Sequence, residues 1–299
     1  MLIWNPAAGR VEAVNSVREA TQALAQTGWE LRLETSQSGE HVTHLAGQAA
    51  RESLDAVWVA GGDGTLGRAA AGLLGSATAL GVLPTGTANV WAREIGLPIS
   101  GTNKLAESIQ RLAAGQVRAM DVGLCNGRPF LFWAGFGLDG RVVARLERHR
   151  TRWIKRWNEV YYLWTILQRS AGWRGTEMEV EADGQRVQGR FMLAVAGNIQ
   201  RYAGGIARLS PMAAWDDGQI ELWLFKGGIT GGVRMAVRHL WNLGWQRHVK
   251  DREVLYLPFQ HLRLRFGVAE WMQMDGDPWR QVNGAEIGIQ AQAIRVLVP

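Results

Sequence analysis

Cysteine is almost absent from this sequence. The 299 residues contain one, Cys125, so no disulfide can form within the chain. That excludes the disulfide-stapled secreted scaffolds and is compatible with a reducing compartment. Long apolar runs are also missing, and none reaches the roughly 20 residues that a membrane span needs. The opening residues Met1-Leu2-Ile3-Trp4-Asn5-Pro6 lack the basic cluster and apolar core of a signal peptide. A soluble protein is therefore expected. No G-x-x-x-x-G-K-[ST] occurs, which excludes a Walker-type phosphate loop. Acidic charge is in short supply, with 27 Asp and Glu against 33 Lys and Arg, a net +6. Such a balance favours acidic partners: nucleotides, nucleic acid or anionic lipid.

The chain does have 47% hydrophobic residues, 37 glycines and 15 tryptophans, enough for two medium domains or one large one. One stretch organises the rest: Val57-Trp58-Val59-Ala60-Gly61-Gly62-Asp63-Gly64-Thr65-Leu66. An apolar run, a turn with three glycines and an alanine-rich run read as strand, tight turn, helix. Glycines let the backbone turn with φ > 0 and let a ligand approach, and N–H groups at a helix start attract anions. Phosphate is the expected guest, and a Cβ at Gly62 would fill the cradle. Asp63 is out of place beside an anion unless a cation or a proton acceptor is needed there, which suggests Mg²⁺ nearby. Gly62, Gly64 and Gly67 also fit G-x-G-x-x-G. That fingerprint wants a carboxylate about 20 residues on, and near Thr87 the first is Glu94. A purely structural turn is the bland alternative.

In order along the chain, strands are expected at 2–4, 29–33, 55–60 and 79–83, and helices at 11–27, 39–51, 66–74, 90–95 and 103–114. Strands alternating with helices imply a parallel sheet with right-handed crossovers and helices on both faces. Four strand ends carry small or polar turns: Asn5-Pro6 to Gly9, Thr35-Ser36, 61–67 and Pro84-Thr85-Gly86-Thr87-Ala88-Asn89. Ligands in such sheets bind beyond the carboxyl ends of the strands. From about 117 the texture changes to consecutive strands at 117–125, 129–135, 176–181, 186–196, 219–225, 253–257, 261–266 and 271–274, with an Asn126-Gly127 hairpin. This divides the chain into an α/β domain over 1–121 and a β-rich, sandwich-like domain over 122–292. The last strand, 293–298, is free to return to the first domain.

Six blocks occur in order: Asn5-Pro6…Gly9, Gly61-Gly62-Asp63-Gly64-Thr65, Pro84 to Asn89, Gly135-Phe136-Gly137-Leu138-Asp139, Asp216-Asp217-Gly218 and Asp275-Gly276-Asp277. This pattern resembles the bacterial diacylglycerol kinase and lipid kinase family, related to sphingosine kinases, over essentially the whole chain. The resemblance implies a nucleotide-binding α/β domain, a β-sandwich domain and a site in the cleft. It implies γ-phosphoryl transfer from ATP to a lipid hydroxyl with Mg²⁺. Carried over by motif, the nucleotide contacts are Asn5, Pro6, Gly9, Thr35, Gly61, Gly62, Asp63, Gly64, Thr65, Gly67, Thr87 and Asn89. The implied proton acceptor is Asp277, with Asp63 the second candidate because relatives use the glycine-turn aspartate as base. A structural Mg²⁺ is implied at Asp217, with the backbone carbonyls of Ala214 and Gln219. Asp139 reads either as a helix N-cap or as a hydrogen-bond partner of the lipid headgroup. There are two departures from the family pattern. Val90 stands where many members have an acidic residue, and Asp277 replaces Glu, one methylene shorter.

Two basic, aromatic stretches bear on partners. One runs from Arg141 to Trp173 and includes Trp153, Trp157, Tyr161, Tyr162 and Trp164; the other carries Arg234, Arg238, Trp241, Trp245, Arg247 and Lys250. Trp, Tyr and cations suit an anionic membrane surface. Trp157, Tyr161 and Trp164 share one helical face and are expected to pack inward, leaving Trp153 and the preceding arginines for the membrane. Basic-aromatic mixtures also bind single-stranded nucleic acid, but the glycine turn would then be idle, so nucleic acid is not expected. The resulting expectation is an ATP-dependent lipid kinase in the cytoplasm, peripheral at the inner membrane face. A soluble NAD kinase-like enzyme and a non-catalytic lipid-binding protein of the same fold are the alternatives.

Overall fold

The computed structural model describes residues 1–6, 13–148, 158–228 and 232–299. Gly9 and Trp153 lie outside the described residues, as does Trp157. The chain forms two units, one of residues 1–122, 203–205 and 291–299, the other of residues 123–202 and 206–290.

Unit 1 runs β1 (Leu2–Trp4), α1 (Ala13–Gln26), β2 (Leu33–Thr35), α2 (Gly39–Arg51), β3 (Ala56–Gly61), α3 (Asp63–Leu73), β4 (Ala79–Pro84), α4 (Val90–Glu94) and α5 (Lys104–Ala113). Its strands are all parallel, in the order β2-β1-β3-β4, and the chain's final segment adds Arg295 and Val296 beside Ala79 and Leu80. Every residue of β3 and β4 is buried, as expected of central strands covered on both faces. Helix α2 packs on α3 and α1 on α5, which gives a cover on each face. Ser38 caps α2 by accepting the His41 N–H at 3.1 Å. The order 2-1-3-4 reverses direction between β1 and β3, and doubly wound sheets place their ligands at such a switch point. The strand expected at 29–33 begins later. Leu33, Glu34 and Thr35 pair with Leu2, Ile3 and Trp4, while the Trp29 ring meets the Trp58 ring edge-on at 5.6 Å. Within 29–33 only the end joins the sheet, where the Arg32 carbonyl accepts the Leu2 N–H at 2.7 Å.

The chain leaves unit 1 within β5 (Gln116–Cys125). Unit 2 continues with β6 (Arg128–Phe130), β7 (Trp133–Gly137), α6 (Leu138–Arg148), α7 (Asn158–Ser170), β8 (Thr176–Ala182) and β9 (Gln185–Gly197). Then come β10 (Arg201–Tyr202), β11 (Ala207–Arg208), β12 (Ile220–Lys226), α8 (Gly232–Gly244), β13 (Val254–Phe259), β14 (His261–Met274) and β15 (Asp277–Val298). The strands pair antiparallel, in the order β13-β12-β9-β7-β14-β15, with β8 against both β9 and β14. The long strands thus serve two layers around a core that includes Phe136, Phe191, Leu222, Leu264 and Met272. Asn126 (φ 48°) and Gly127 (φ 77°) make the tight hairpin expected between β5 and β6. The two strands expected at 261–266 and 271–274 are one strand, bent where its pairing with β15 shifts between Arg265 and Glu270. The bend carries exposed Val268, and so the alternation lapses there.

Helix α6 lies directly on β14. A Cβ on Gly140 would run into the carbonyl of Trp271. Alanine is the better helix former by about 1 kcal/mol, but a backbone obstacle cannot rotate away. Gly140→Ala is therefore expected to destabilise the protein by about 1–3 kcal/mol, read as a lower urea midpoint with unchanged slope.

Candidate functional site

In unit 1 three turns meet at the carboxyl ends of β1, β3 and β4. Asn5 follows β1, donates its backbone N–H to the Ala60 carbonyl at 3.1 Å, and passes its side-chain Nδ2 to Thr65 Oγ1 at 2.8 Å. That bond bridges the switch point. Gly62 caps α3 in extended backbone (φ −98°), so the positive φ expected of the glycine turn does not occur at Gly61, Gly62 or Gly64, and the N–H groups of Thr65 and Leu66 bond the Gly62 carbonyl at 2.9 and 3.0 Å. A Cβ on Gly61 would stand 2.7 Å from Thr65 Cβ, so the turn closes only with glycine there. The 84–89 loop folds against it. A Cβ on Gly86 would run into Gly62 Cα and stand 2.9 Å from Asn89 Oδ1. Asn89 sits in the left-handed region (φ 49°) and holds the loop from both sides, accepting the Gly86 N–H at 2.9 Å and donating to the Gly86 carbonyl at 3.0 Å. The result is a corner of bare backbone at the start of an 11-residue helix, the setting in which N–H groups bind anions. Thr87 is exposed and Gly64 has open space above it, whereas the buried Thr85 hydroxyl has no partner among the described residues.

The other expected nucleotide contacts divide. Thr35 ends β2 opposite Trp4, with two strands between it and β4, and Pro6 is an exposed turn residue. Asp63 does not lie open over the corner. Its carboxylate accepts the Trp91 N–H at 3.2 Å, and the N–H groups of Val90 and Asn89 also favour its ionised form. Burial outweighs them and pushes its pKa up. Asp63 thereby ties the glycine turn to the N-terminus of α4, where a carboxylate is favoured. Val90 is buried in the first turn of α4 and offers no ligand atom.

The second set of residues lies in unit 2. Asp275 (φ 49°) and Gly276 (φ 84°) form the tight turn between β14 and β15, with Met274 paired to Asp277. The hairpin reading of this block therefore holds, whatever else it does. The Asp275 carboxylate is held by backbone donors. It accepts the N–H groups of Leu131, Phe132 and Trp133 at 2.7, 2.8 and 3.1 Å. Burial, and more weakly Asp277, push its pKa up to about 6 against the pull of those donors. Asp277 is exposed at the head of β15.

Asp139 is not an N-cap, because α6 begins one residue earlier. Its carboxylate is buried, with Oδ1 taking the Tyr202 hydroxyl at 2.5 Å and Oδ2 the Gln273 amide at 2.6 Å. Burial pushes its pKa up, against those two donors. A Cβ on Gly135 would occupy the position of Asp139 Oδ2, so Gly135 admits this carboxylate. Gln273 in turn accepts the Gly276 N–H at 2.8 Å. Asp139 thus braces the 275–277 turn through Gln273, and nothing in the sequence marked Gln273 or Tyr202 for this role.

At the block carried over as a cation site, Gly218 takes φ 75° and Asp217 Oδ1 accepts the Gln219 N–H at 3.0 Å. Asp217 and Gln219 are exposed and Ala214 is half-buried. Among the described residues no three His, Cys, Asp or Glu side chains converge as a metal cluster. Oxygen donors, one carboxylate and backbone carbonyls, suit a hard cation.

A doubly wound α/β unit with a glycine-built corner at its switch point, in one chain with an antiparallel β unit, defines a two-domain protein with a β-sandwich-like C-terminal part. Residues 1–125 match the model of the diacylglycerol kinase catalytic domain, and residues 133–298 match the YegS C-terminal NAD kinase beta sandwich-like domain. The chain belongs to the diacylglycerol kinase and YegS-like lipid kinase family. It is 29% identical to a Bacillus subtilis protein named diacylglycerol kinase, over 100% of this chain and 95% of that one. It is 31% identical to a Pseudomonas fluorescens protein named "Probable lipid kinase YegS-like", over 71% of this chain and 69% of the other. The fold is shared with a crystal structure of a Bacillus anthracis diacylglycerol kinase at a TM-score of 0.76 and 21% identity, covering 100% and 96% of the two chains. An Archaeoglobus fulgidus NAD kinase crystallised with ATP shares it more distantly, at a TM-score of 0.51 and 12% identity, covering 99% and 92%.

Gly86→Ala tests the corner. The added methyl must displace the Gly62 backbone, so we expect ATP affinity to fall at least about 10-fold, the equivalent of about 1.4 kcal/mol. Calorimetric titration checks this, and an unchanged affinity would remove the corner from the nucleotide site.

Proposed function

We propose that the protein is an ATP-dependent lipid kinase that transfers the γ-phosphate to the hydroxyl of diacylglycerol or a related lipid. The observation that carries this reading is the glycine-walled corner formed by residues 61–67 and 84–89 at the start of α3. Family membership adds the reaction class. In the proposed reaction the N–H groups of this corner hold the phosphates, and Asn5, Thr65 and Asn89 keep its walls in register. The lipid hydroxyl oxygen attacks the γ-phosphorus, the bond from that phosphorus to the β,γ-bridging oxygen breaks, and ADP leaves. Asp277 takes the hydroxyl proton, a transfer that needs an approach of roughly 2.6–3.2 Å. Asp63 acts as a positioning residue. Mg²⁺ would supply charge neutralisation on the phosphates when bound, and Asp217 with the carbonyls of Ala214 and Gln219 would hold a structural ion.

The test is γ-labelled ATP, Mg²⁺ and a lipid panel that includes diacylglycerol. Label is expected in the organic phase, and Asp277→Asn should leave ATP binding intact while lowering transfer by about 100-fold or more. Label on NAD, in the aqueous phase, would select the NAD kinase-like alternative. ATP binding with no labelled product would select a non-catalytic protein.

Such a substrate must be met at a membrane, and no helix among the described residues is long and apolar enough to cross one. Helix α8 supports docking on the surface. Val233, Val237, Trp241 and Trp245 recur every four residues and are 41%, 47%, 60% and 65% exposed. Arg234 and Arg238 lie among them, Arg238 paired with Asp251 at 2.6 Å, and Arg247 and Lys250 follow directly after. Trp164, expected to pack inward, is 52% exposed on α7, which packs against α8. Indole rings flanked by cations suit the headgroup region of an anionic bilayer. Sedimentation with phosphatidylglycerol vesicles is expected to carry the protein down, and Trp241→Ala with Trp245→Ala to weaken binding about 10-fold. Equal binding to neutral phosphatidylcholine vesicles would refute the electrostatic part.

A further inference from the structure

We propose that Arg128, Trp279 and Arg280 of unit 2 form a phosphate-holding patch at the head of β15, and that it takes the phosphomonoester headgroup of a diacyl lipid. The choice of that lipid rests on the kinase reading, of which it is the product. The patch itself rests on its own residues.

Two local devices build it. The tight turn at Asn126 and Gly127 delivers Arg128 to the first position of β6, paired with Cys125. Pro129 follows and holds the Arg128 backbone extended. On the other side, β15 is bulged. Gln273 pairs with Pro278 and Trp271 with Gln281, so Trp279 and Arg280 together stand opposite Met272 alone. Side chains on a regular strand alternate between faces, and an extra residue in one strand breaks that alternation and re-aims them. Here it brings consecutive residues together. The Arg280 guanidinium lies 5.9 Å from the centroid of the Trp279 ring, and Arg128 lies over the same ring at 3.6 Å.

Trp279 is half-buried, packs on the core of unit 2 and serves as a fixed floor. Both arginines are exposed. Stacking uses the flat face of a guanidinium and leaves the N–H donors at its edge for a ligand. Among the described residues neither Arg128 nor Arg280 donates a hydrogen bond or pairs with a carboxylate, whereas Arg190, Arg238 and Arg263 of the same unit are paired at 2.7, 2.6 and 3.0 Å. Two guanidiniums gathered on one ring repel each other, and an anion between them relieves that repulsion. A carboxylate offers one charge and two oxygens, which a single fork consumes. A phosphomonoester carries about −1.5 to −2 charge and three terminal oxygens, enough for two forks. The patch begins two residues after Asp277. An ionised Asp277 repels a phosphate, but it becomes neutral once it holds the proton of the lipid hydroxyl, which is the stage at which the product exists.

The same chemistry is offered by a lipid headgroup and by free phosphate, and the test separates them. Calorimetric titrations of the full chain would use dihexanoyl phosphatidic acid, below its aggregation concentration, in one arm and inorganic phosphate in the other. Saturable binding of the lipid is expected. It should weaken about 10-fold in Arg128→Gln and in Arg280→Gln, each a loss in the range of a charge-assisted hydrogen bond, and several-fold in Trp279→Leu, which removes the floor. Gly86→Ala should leave it unchanged. Asp277→Asn should bind the lipid at least as well as the unsubstituted chain, so failure of the kinase reading shows in label transfer and failure of the patch shows in binding. Tighter binding of the lipid than of phosphate supports the product headgroup as ligand, and equal binding makes free phosphate the ligand. Absence of binding in both arms, or binding that survives both arginine substitutions, overturns the proposal. Arg128 and Arg280 are exposed, so their variants have no core to disrupt and decide the matter if Trp279→Leu fails to fold.

Discussion

Two backbones touch where the chain leaves β3 and β4, and the architecture of unit 1 depends on that contact. Gly62 and Gly86 approach so closely that a methyl on Gly86 would run into the neighbouring Cα. Peptide groups can converge on one anion only when no side chain stands between them. The rest of the corner maintains this approach. Asn89 clamps its own loop, Asp63 ties the glycine turn to α4, and Asn5 joins β1 to Thr65 across the switch point. Each of these polar groups holds the geometry of the corner.

Unit 2 relies on buried and half-buried carboxylates instead. Asp139, Asp275 and Glu270 are each surrounded by donors of their own unit. Taking a carboxylate out of water is costly unless its lone pairs are filled, and removing one partner is then severely destabilising. Such groups therefore fix one arrangement. Asp275 pins the 275–277 turn to residues 131–133, Asp139 reaches the same turn through Gln273, and Glu270 holds Arg141 over the Trp173 ring. Glycine recurs as the enabling residue, since Gly135 and Gly140 let a carboxylate and a helix settle against β strands.

Strongly periodic elements were legible in the sequence. Helix α2 was expected at 39–51 and occurs as Gly39–Arg51. Strands β3 and β4 differ from expectation by about a residue, because a fully apolar run bounded by glycine or proline has few alternatives. The Asn126-Gly127 hairpin was legible because those residues tolerate positive φ. Strand β2 was misplaced, since a three-residue edge strand buries too little to imprint a pattern. Most of β15 was overlooked because its pairing with β14 slips and its apolar positions lose their alternation. In the site, the glycine and asparagine positions could be read, while Gln273 and Tyr202 could not.

The sequence by itself determined where charge and tryptophan are concentrated, that the Asn126-Gly127 turn is tight, and which family the motif order resembles. These are local or compositional properties, written in short windows. Only the tertiary structure decided how each carboxylate is used. Asp63, Asp139, Asp275 and Asp277 all follow or flank glycine and are indistinguishable by type, yet three are tied down by donors and one stands exposed. The difference lies in which N–H and O–H groups face each carboxylate across gaps of 28 to 144 residues, and such long-range meetings are products of packing.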